Sequence, residues 1–171
     1  MSTGQGQERT DLNLRLLVRL RDQALEVRRL ASGLSEELLS RRPAPHQWSL
    51  KELVCHLHRV QQIFETRIEA MLAEEEPLID PYDPEHDEEF FVLAAKPTAH
   101  ALGHYLLGRE RLLGRLRQLA PEQWRRSGRH PEFPHYDVQF QVEYMVYHEA
   151  HHIYQMLQRR ALLESGAAEP F

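Results

Sequence analysis

Four long segments of the chain place apolar residues at the three- and four-residue spacing of an amphipathic helix. The predicted helices cover about 12–30, 50–72, 97–119 and 138–163. Ser49 and Glu52 form a capping box that opens the second helix. Asp11 and Asp137 are the predicted N-caps of the first and fourth helices, and Gly33 is the predicted stop of the first. No segment alternates as a strand does, so the sequence predicts an all-α fold, a four-helix bundle with long connections.

The segments between these helices are long and differ in character. An acidic, proline-broken stretch at about 74–96 is predicted to be a solvated linker, because it lacks the glycine and alternating ligands of a calcium loop. Short helical turns are predicted at SEELL and PEQW. A mass of 20.2 kDa predicts one domain over 1–171, with a core at about 11–163 and a loose tail at 164–171.

Composition excludes several classes of partner. A net charge of −5 argues against broad binding to nucleic acid. No run of 18 apolar residues is present, so neither a spanning helix nor a membrane partner is predicted. The polar N-terminal segment does not resemble a signal peptide, and a single cysteine forms no internal disulfide. A cytoplasmic location is therefore predicted.

Eleven histidines are many for 171 residues, and two of them are spaced to share a ligand. His148 and His152 lie one turn apart at one edge of the apolar stripe of the fourth helix. This is the spacing at which two imidazoles reach one metal ion. His151 points to the wetter side, and Gln155 lies beside the pair, near enough to touch a ligand or water.

This segment suggests two familiar metal sites, and each needs further ligands from elsewhere in the chain. His148 to His152 matches the HExxH pattern of zinc proteases, but no later histidine exists to complete the extended form. A di-iron site needs a second Glu-x-x-His besides Glu149 and His152, whereas Glu52 and His56 are one residue too far apart. Both interpretations are therefore disfavoured.

The second helix carries two histidines that periodicity alone does not separate. His56 and His58 flank its apolar stripe on opposite edges at nearly equal angles. Periodicity therefore leaves open which of the two would be the third ligand.

Three segments resemble successive segments of the DinB/YfiT superfamily of metal-binding four-helix proteins: WSLKELVCHLHRVQQIFETRI, RERLLGRLRQLAPEQWRRSGRH and YHEAHHIYQM. Its marks here are Trp-Ser at 48–49, His-Leu at 56–57 and His-x-x-His-His-x-x-Gln at 148–155. The resemblance implies a divalent transition metal, zinc or nickel, held by His56, His148 and His152. His56 is chosen over His58 because the family's ligand is the histidine followed by leucine. The acid that many relatives carry one turn later is missing, since Arg59 and Gln61 stand there.

The resemblance also implies a function. The leading hypothesis is a metal-dependent transferase that directs a low-molecular-weight thiol, such as bacillithiol or mycothiol, at a small-molecule electrophile. The alternatives are a metal-dependent hydrolase with Glu149 as base, and a non-enzymatic metal-binding stress or interaction protein. Glu149 is otherwise predicted to be solvated or to lie next to the ligands, and Gln155 to orient a metal-bound water. A homodimer is the implied assembly.

The remaining candidates are predicted to play structural roles. His100 and His104 are predicted surface residues, and Arg111 is predicted to form a salt bridge. His130 and His135 are predicted in a plain loop role, with the pocket mouth as the alternative. Residues predicted to serve packing are Trp48, Cys55 and Trp124.

Overall fold

The chain folds into helices joined by irregular segments. The computed structural model describes residues 2–165, with side chains from Glu8 onward. Within that range the α-helices are α1 (Ser2–Ala31), α2 (Glu36–Ser40), α3 (Leu50–Ala73), α4 (Glu88–Ala94), α5 (Thr98–Arg117) and α6 (Val138–Ser165). Short 3-10 helices cover Pro84–His86 and Gln123–Arg125. Extended pairing over the same residues is confined to two isolated bridges, Leu78 with Arg129 and Ser127 with Asp137. The predicted all-α class is confirmed.

The four long helices, α1, α3, α5 and α6, make the bundle. Both α1 and α3 pack against α5 and against α6, so α1 and α3 face each other diagonally across the bundle. Two clusters of buried apolar side chains fill the interior, one towards each end. Among the described residues, none of the helices combines the length and apolar character that crossing a membrane requires. The neighbouring positions of α3 and α6 bring the predicted ligands to one interface.

Capping residues mark the ends of several of these helices. The Ser49 hydroxyl accepts from the Glu52 amide at 3.2 Å, and the Glu52 carboxylate accepts from the Ser49 amide at 2.9 Å. Asp137 caps α6 by accepting from the Phe140 amide at 2.7 Å. Gly33, with a φ of 77°, follows the end of α1 as predicted.

Two predicted boundaries are wrong. Asp11 does not cap α1, because the helix runs on upstream to Ser2. The upstream segment lacks the apolar periodicity on which the predicted start depends. It also contains no proline that would end the helix. Glu164 and Ser165, which were assigned to the tail, belong to α6. Residues 166–171 of the predicted tail lie outside the described residues.

The acidic stretch at 74–96 is not a plain solvated linker. It contains α4, whose Phe90 and Leu93 are buried in the core. Asp87 is buried as well and accepts from the Arg59 guanidinium at 2.9 and 3.2 Å. Apolar residues spaced among the acids therefore fold this segment back onto α3.

Gly128 lies where the loop before α6 meets the segment after α3. A Cβ atom there would stand 2.8 Å from Ile79 Cγ1 and 3.1 Å from the Pro77 carbonyl oxygen. We expect Gly128→Ala to lower the free energy of unfolding by about 1–3 kcal/mol, because the backbone must move to admit the methyl group. Urea unfolding at neutral pH measures it.

Gly103→Ala is the matched control for this substitution. No atom lies within 4 Å of a Cβ at Gly103, which is exposed on α5. The added methyl there is expected to stabilise the helix by up to about 1 kcal/mol. Equal effects of the two alanines would contradict the packing argument.

Candidate metal centre

Three imidazole rings meet between α3 and α6. The Nε2 atom of His148 lies 3.3 Å from Nε2 of His56 and 3.2 Å from Nε2 of His152. Two ligands at the usual distance of about 2.0–2.1 Å from a tetrahedral metal stand about 3.3–3.4 Å apart. The nitrogen spacing is therefore that of a metal-ligand set. Within the described part of the chain, this is the one group of three or more histidine, cysteine or acidic residues whose ligand atoms lie within 4.8 Å of one another.

The packing of α3 separates the two histidines that periodicity did not. His56 faces α6, where its ring stands 5.2 Å from that of His148 and 4.6 Å from that of His152. His58 faces α5, and its ring lies 6.0 Å from that of His104. The structure thus brings His56, and not His58, together with the pair on α6.

Burial keeps all three rings neutral. His56 is 3% exposed and His152 is 8% exposed. Desolvation, followed by the neighbouring imidazoles, lowers the pKa of His56 to about 2 and that of His148 to about 3. Desolvation also lowers the pKa of His152. A neutral imidazole offers the lone pair that a metal requires.

Neighbouring residues fix the ring orientations. The Gln155 side-chain carbonyl accepts a hydrogen bond from Nδ1 of His152 at 2.8 Å, so Nε2 of that ring carries the lone pair. The ring of His56 lies between Trp48, at 4.7 Å between centroids, and Tyr82, at 6.1 Å. Its Nδ1 is buried without a hydrogen-bond partner among the described residues. Packing therefore orients His56, and a hydrogen bond orients His152.

A cavity of about 360 Å³ opens beside the three Nε2 atoms. Aromatic side chains dominate its walls, and among them are Trp48, Phe64, Tyr82, Phe133, Tyr136 and Tyr144. Trp48, which was predicted to serve packing, thus also lines the cavity. The tyrosines and phenylalanines were missed at the sequence level because they come from four separate segments. A three-histidine centre next to such a cavity has room for a small molecule.

Glu149, the acid of the HExxH pattern, lies in the bundle core at 2% exposure. Its carboxylate accepts from Arg109 at 2.9 Å through Nη1 and at 2.7 Å through Nη2, and also from the Tyr105 hydroxyl. Arg109 further donates to Gln61 at 2.8 Å and to the Leu20 carbonyl at 2.6 Å. Of the two positions predicted for Glu149, the solvated one is wrong. The buried ion pair ties all four long helices together.

This network also corrects the basic residue that was predicted for the third long helix. The ion pair is made by Arg109, one half-turn before the predicted Arg111, which is exposed. A carboxylate held by two guanidinium hydrogen bonds is a poor general base. Cys55 is fully buried as predicted, and desolvation raises the pKa of its thiol to about 11.

The chain is similar to known proteins over most of its length. The family model described as the DinB superfamily matches residues 18–156. The chain belongs to the DinB superfamily. A solved structure, described as "YfiT from Bacillus subtilis is a probable metal-dependent hydrolase with an unusual four-helix bundle topology", is similar with a TM-score of 0.77. The two chains are 20% identical over 97% of this chain and 90% of the other. Among curated proteins, none matches the chain.

Of the histidines outside the ligand set of this DinB protein, exposed His151 lies beside the centre, with its ring 5.1 Å from that of His152. His100 and His104 are exposed on α5, as predicted, with ring centroids 4.5 Å apart. They line a second cavity together with His58. His135 is exposed and contacts the α6 cap Asp137 at 3.1 Å. His130 lines the main cavity, the one of about 360 Å³ beside the centre, so it takes the alternative position that we predict for it, at the pocket mouth.

The neutral histidines of the DinB centre predict acid sensitivity of the metal-free fold. An unfolded histidine takes up a proton below its ordinary pKa of 6.5, whereas folded His56 and His148 remain neutral down to about 2 and 3. Above about pH 6.5 both states leave these histidines neutral, so the free energy of unfolding does not depend on them. Below that pH the unfolded state binds protons that the folded state does not, and the free energy of unfolding falls progressively towards pH 3. At pH 5 each should cost about 2 kcal/mol of unfolding free energy.

Urea unfolding of metal-free protein at pH 7 and pH 5 tests this expectation. In His56→Leu the loss between the two pH values should be smaller than in the wild type by about 2 kcal/mol. The comparison cancels the contribution of the other titrating groups. An identical loss in wild type and His56→Leu would contradict it.

Proposed function

We propose that this DinB protein binds one divalent transition metal through His56, His148 and His152, and that it is an enzyme acting on a small molecule in the adjoining cavity. The observation that supports this most directly is the spacing of the three Nε2 atoms, since His148 lies 3.2 and 3.3 Å from the other two. The rings are neutral, and His56 and His152 are buried while His148 is half-buried. Imidazole donors suit zinc and nickel, which are the metals we propose.

Each residue of the site has a distinct task in this proposal. Three protein ligands leave coordination positions for a reactant, which is the arrangement of a reactive rather than a structural site. Gln155 keeps the His152 lone pair directed at the centre, and Trp48 and Tyr82 hold the His56 ring. The aromatic walls give a substrate apolar surface to contact beside the reacting atoms. A bound metal supplies Lewis acidity, which lowers the pKa of a coordinated water or thiol.

The reaction that we favour is thiol transfer. The thiolate sulfur of a low-molecular-weight cosubstrate attacks an electrophilic carbon, a carbon–sulfur bond forms, and the leaving group departs with the electron pair of the broken bond. A metal held by the three histidines would lower the pKa of the cosubstrate thiol, whose proton would pass to solvent, so this chemistry would need no protein base. The engagement of Glu149 by Arg109 and Tyr105 favours such a reaction over one that depends on Glu149.

Hydrolysis is the second candidate, and the similar solved structure described as a probable metal-dependent hydrolase favours it. Here hydrolysis would take its base from a residue other than Glu149. The open cavity of about 360 Å³ argues for either enzyme over a non-enzymatic metal-binding protein, for which a closed site is expected.

Paired assays on zinc- and nickel-loaded protein separate these functions. Thiol transfer predicts that added free cysteine loses its thiol to 1-chloro-2,4-dinitrobenzene in a metal-dependent reaction. The reaction should be abolished in His56→Ala and retained in His58→Ala. Metal-dependent cleavage of 4-nitrophenyl acetate without thiol would instead support hydrolysis. Absence of metal dependence in both assays would contradict an enzymatic centre with these substrate classes.

A further inference from the structure

The face of α3 that carries His56 runs the length of the main cavity. His56, Val60, Phe64 and Arg67 follow one another at spacings of four, four and three residues, and all of them line the cavity. Eleven residues of helix separate the first and last Cα atoms by about 16 Å. The cavity floor therefore has the histidine centre at one end, apolar side chains in the middle and a guanidinium at the other end.

Arg67 has neutral partners in the structure. Its Nη2 donates to the Asp80 carbonyl oxygen, and its Nη1 lies 3.4 Å from the Tyr136 hydroxyl oxygen. Its guanidinium carbon stands 5.4 Å from the centre of the Phe64 ring. Over the residues that the structure describes, no carboxylate lies within ion-pairing distance of it.

Half-buried Arg126 and Arg159 also donate only to backbone carbonyls, but neither lines the main cavity. Two further arginines have a carboxylate partner. Arg59 is paired with Asp87 at 2.9 Å, and Arg109 is paired with Glu149 at 2.7 Å. A guanidinium that is held in place, partly removed from water and not matched by a carboxylate is a site for an anion from outside the protein.

His130 adds a second donor to the same end of the cavity. Its Nδ1 accepts from the Glu132 amide at 3.1 Å, so the ring proton of the neutral form is on Nε2. Burial, and then the charge of Arg67, lowers the pKa of His130, which keeps the ring neutral. The ring stacks on Tyr136 with 4.9 Å between centroids. The Glu132 carboxylate also lines the cavity but is exposed, so solvent screens its charge.

We propose that Arg67, together with His130, binds a carboxylate group of the substrate, and that an apolar segment of the same molecule lies over Val60 and Phe64. The substrate class is thus a small amphipathic carboxylate whose reacting group points to the histidine end. The position of the reacting group rests on the proposed function, whereas the carboxylate site itself does not. The planar fork of a guanidinium matches a carboxylate with two parallel hydrogen bonds.

The test uses 4-phenylbutyrate and its neutral isostere 4-phenylbutyramide as probes, titrated calorimetrically into metal-free and zinc-loaded protein. In metal-free wild type the carboxylate should bind at least about tenfold more tightly than the amide. Arg67→Met removes the guanidinium and leaves an unbranched apolar side chain of similar length, and it should abolish that preference while leaving amide binding unchanged. Arg67→Gln serves as a second variant should Arg67→Met fail to fold.

The control and the outcomes separate this inference from the proposed function. Arg111→Met removes an exposed arginine of α5 outside the cavity and should keep the preference intact. Equal binding of the two probes to wild type, or an unchanged preference in both Arg67 variants, would overturn the carboxylate site. The preference is measured in metal-free protein, so it can be interpreted even if metal-dependent turnover is not found. A preference that appears only after zinc loading would assign the carboxylate to the metal and also overturn the role of Arg67.

Discussion

Arg109→Met is expected to lower the free energy of unfolding by about 3–5 kcal/mol, the largest effect of any single substitution considered for this fold. Both members of the Arg109–Glu149 pair are 2% exposed. Methionine removes the guanidinium but leaves the Glu149 carboxylate in the core, where only the Tyr105 hydroxyl remains to solvate it. The Leu20 carbonyl and the Gln61 side chain lose their donor as well.

Urea unfolding of three variants at pH 7 measures this effect with its controls. Arg109→Met combined with Glu149→Leu removes both charges and should recover a large part of the loss. Arg115→Met breaks the exposed pair with Glu69 and should cost no more than about 1 kcal/mol. If Arg109→Met costs no more than Arg115→Met, the buried network does not hold the bundle together.

Zinc is expected to raise the unfolding temperature of the metal-free protein by a large amount. A ligand that binds only the folded state at a thousand times its dissociation constant stabilises that state by about 4 kcal/mol. For a chain of this size that corresponds to roughly 8–16 °C. The reason is structural, since the three Nε2 atoms already stand at ligand spacing on the packed helices α3 and α6.

The histidine variants show whether that stabilisation comes from the proposed centre. His148→Ala should lose the shift in unfolding temperature, because the Nε2 atom that stands nearest to both others is removed. His58→Ala, which alters a histidine of the second cavity, should keep it. A shift of equal size in both variants would place the zinc at another site. Differential scanning calorimetry at fixed zinc concentration makes the comparison.

Helical periodicity and capping patterns were enough to predict the bundle. Apolar spacing located the four long helices, and the capping box at Ser49 is present as predicted. The pairing of His148 with His152 followed from the spacing within one helix. The choice between His56 and His58 did not, because both flank the same apolar stripe. The family resemblance chose His56 through the leucine that follows it, and the packing of α3 between α5 and α6 gives the physical reason, which is a property of the assembled bundle.

The role of Glu149 was beyond the local sequence pattern. A single helix shows the HExxH spacing but not the arginine that lies 40 positions away and occupies the carboxylate. A signal for that arginine did exist. Ala101, Tyr105, Leu112 and Leu116 form the buried stripe of α5, and Arg109 falls within it. A charged residue on an apolar stripe needs a buried partner.

The prediction of a solvated linker at 74–96 is wrong for a related reason. Its composition is that of a solvated linker, yet Phe90 and Leu93 are spaced to reach the core and Asp87 meets Arg59 on α3. The average composition of a segment does not show the positions of its few apolar residues, but those residues determine where the segment packs. The same segment supplies Tyr82 to the wall of the cavity.

Metal content, measured by elemental mass spectrometry on protein without a histidine tag, tests the central claim most directly. Wild type and His58→Ala should each carry about one zinc or nickel per chain, as purified or after reconstitution, and His56→Ala and His152→Ala should carry none. Wild type that remains metal-free after incubation with both metals would contradict the account. Metal retained at full stoichiometry in His56→Ala would contradict the assignment of the third ligand.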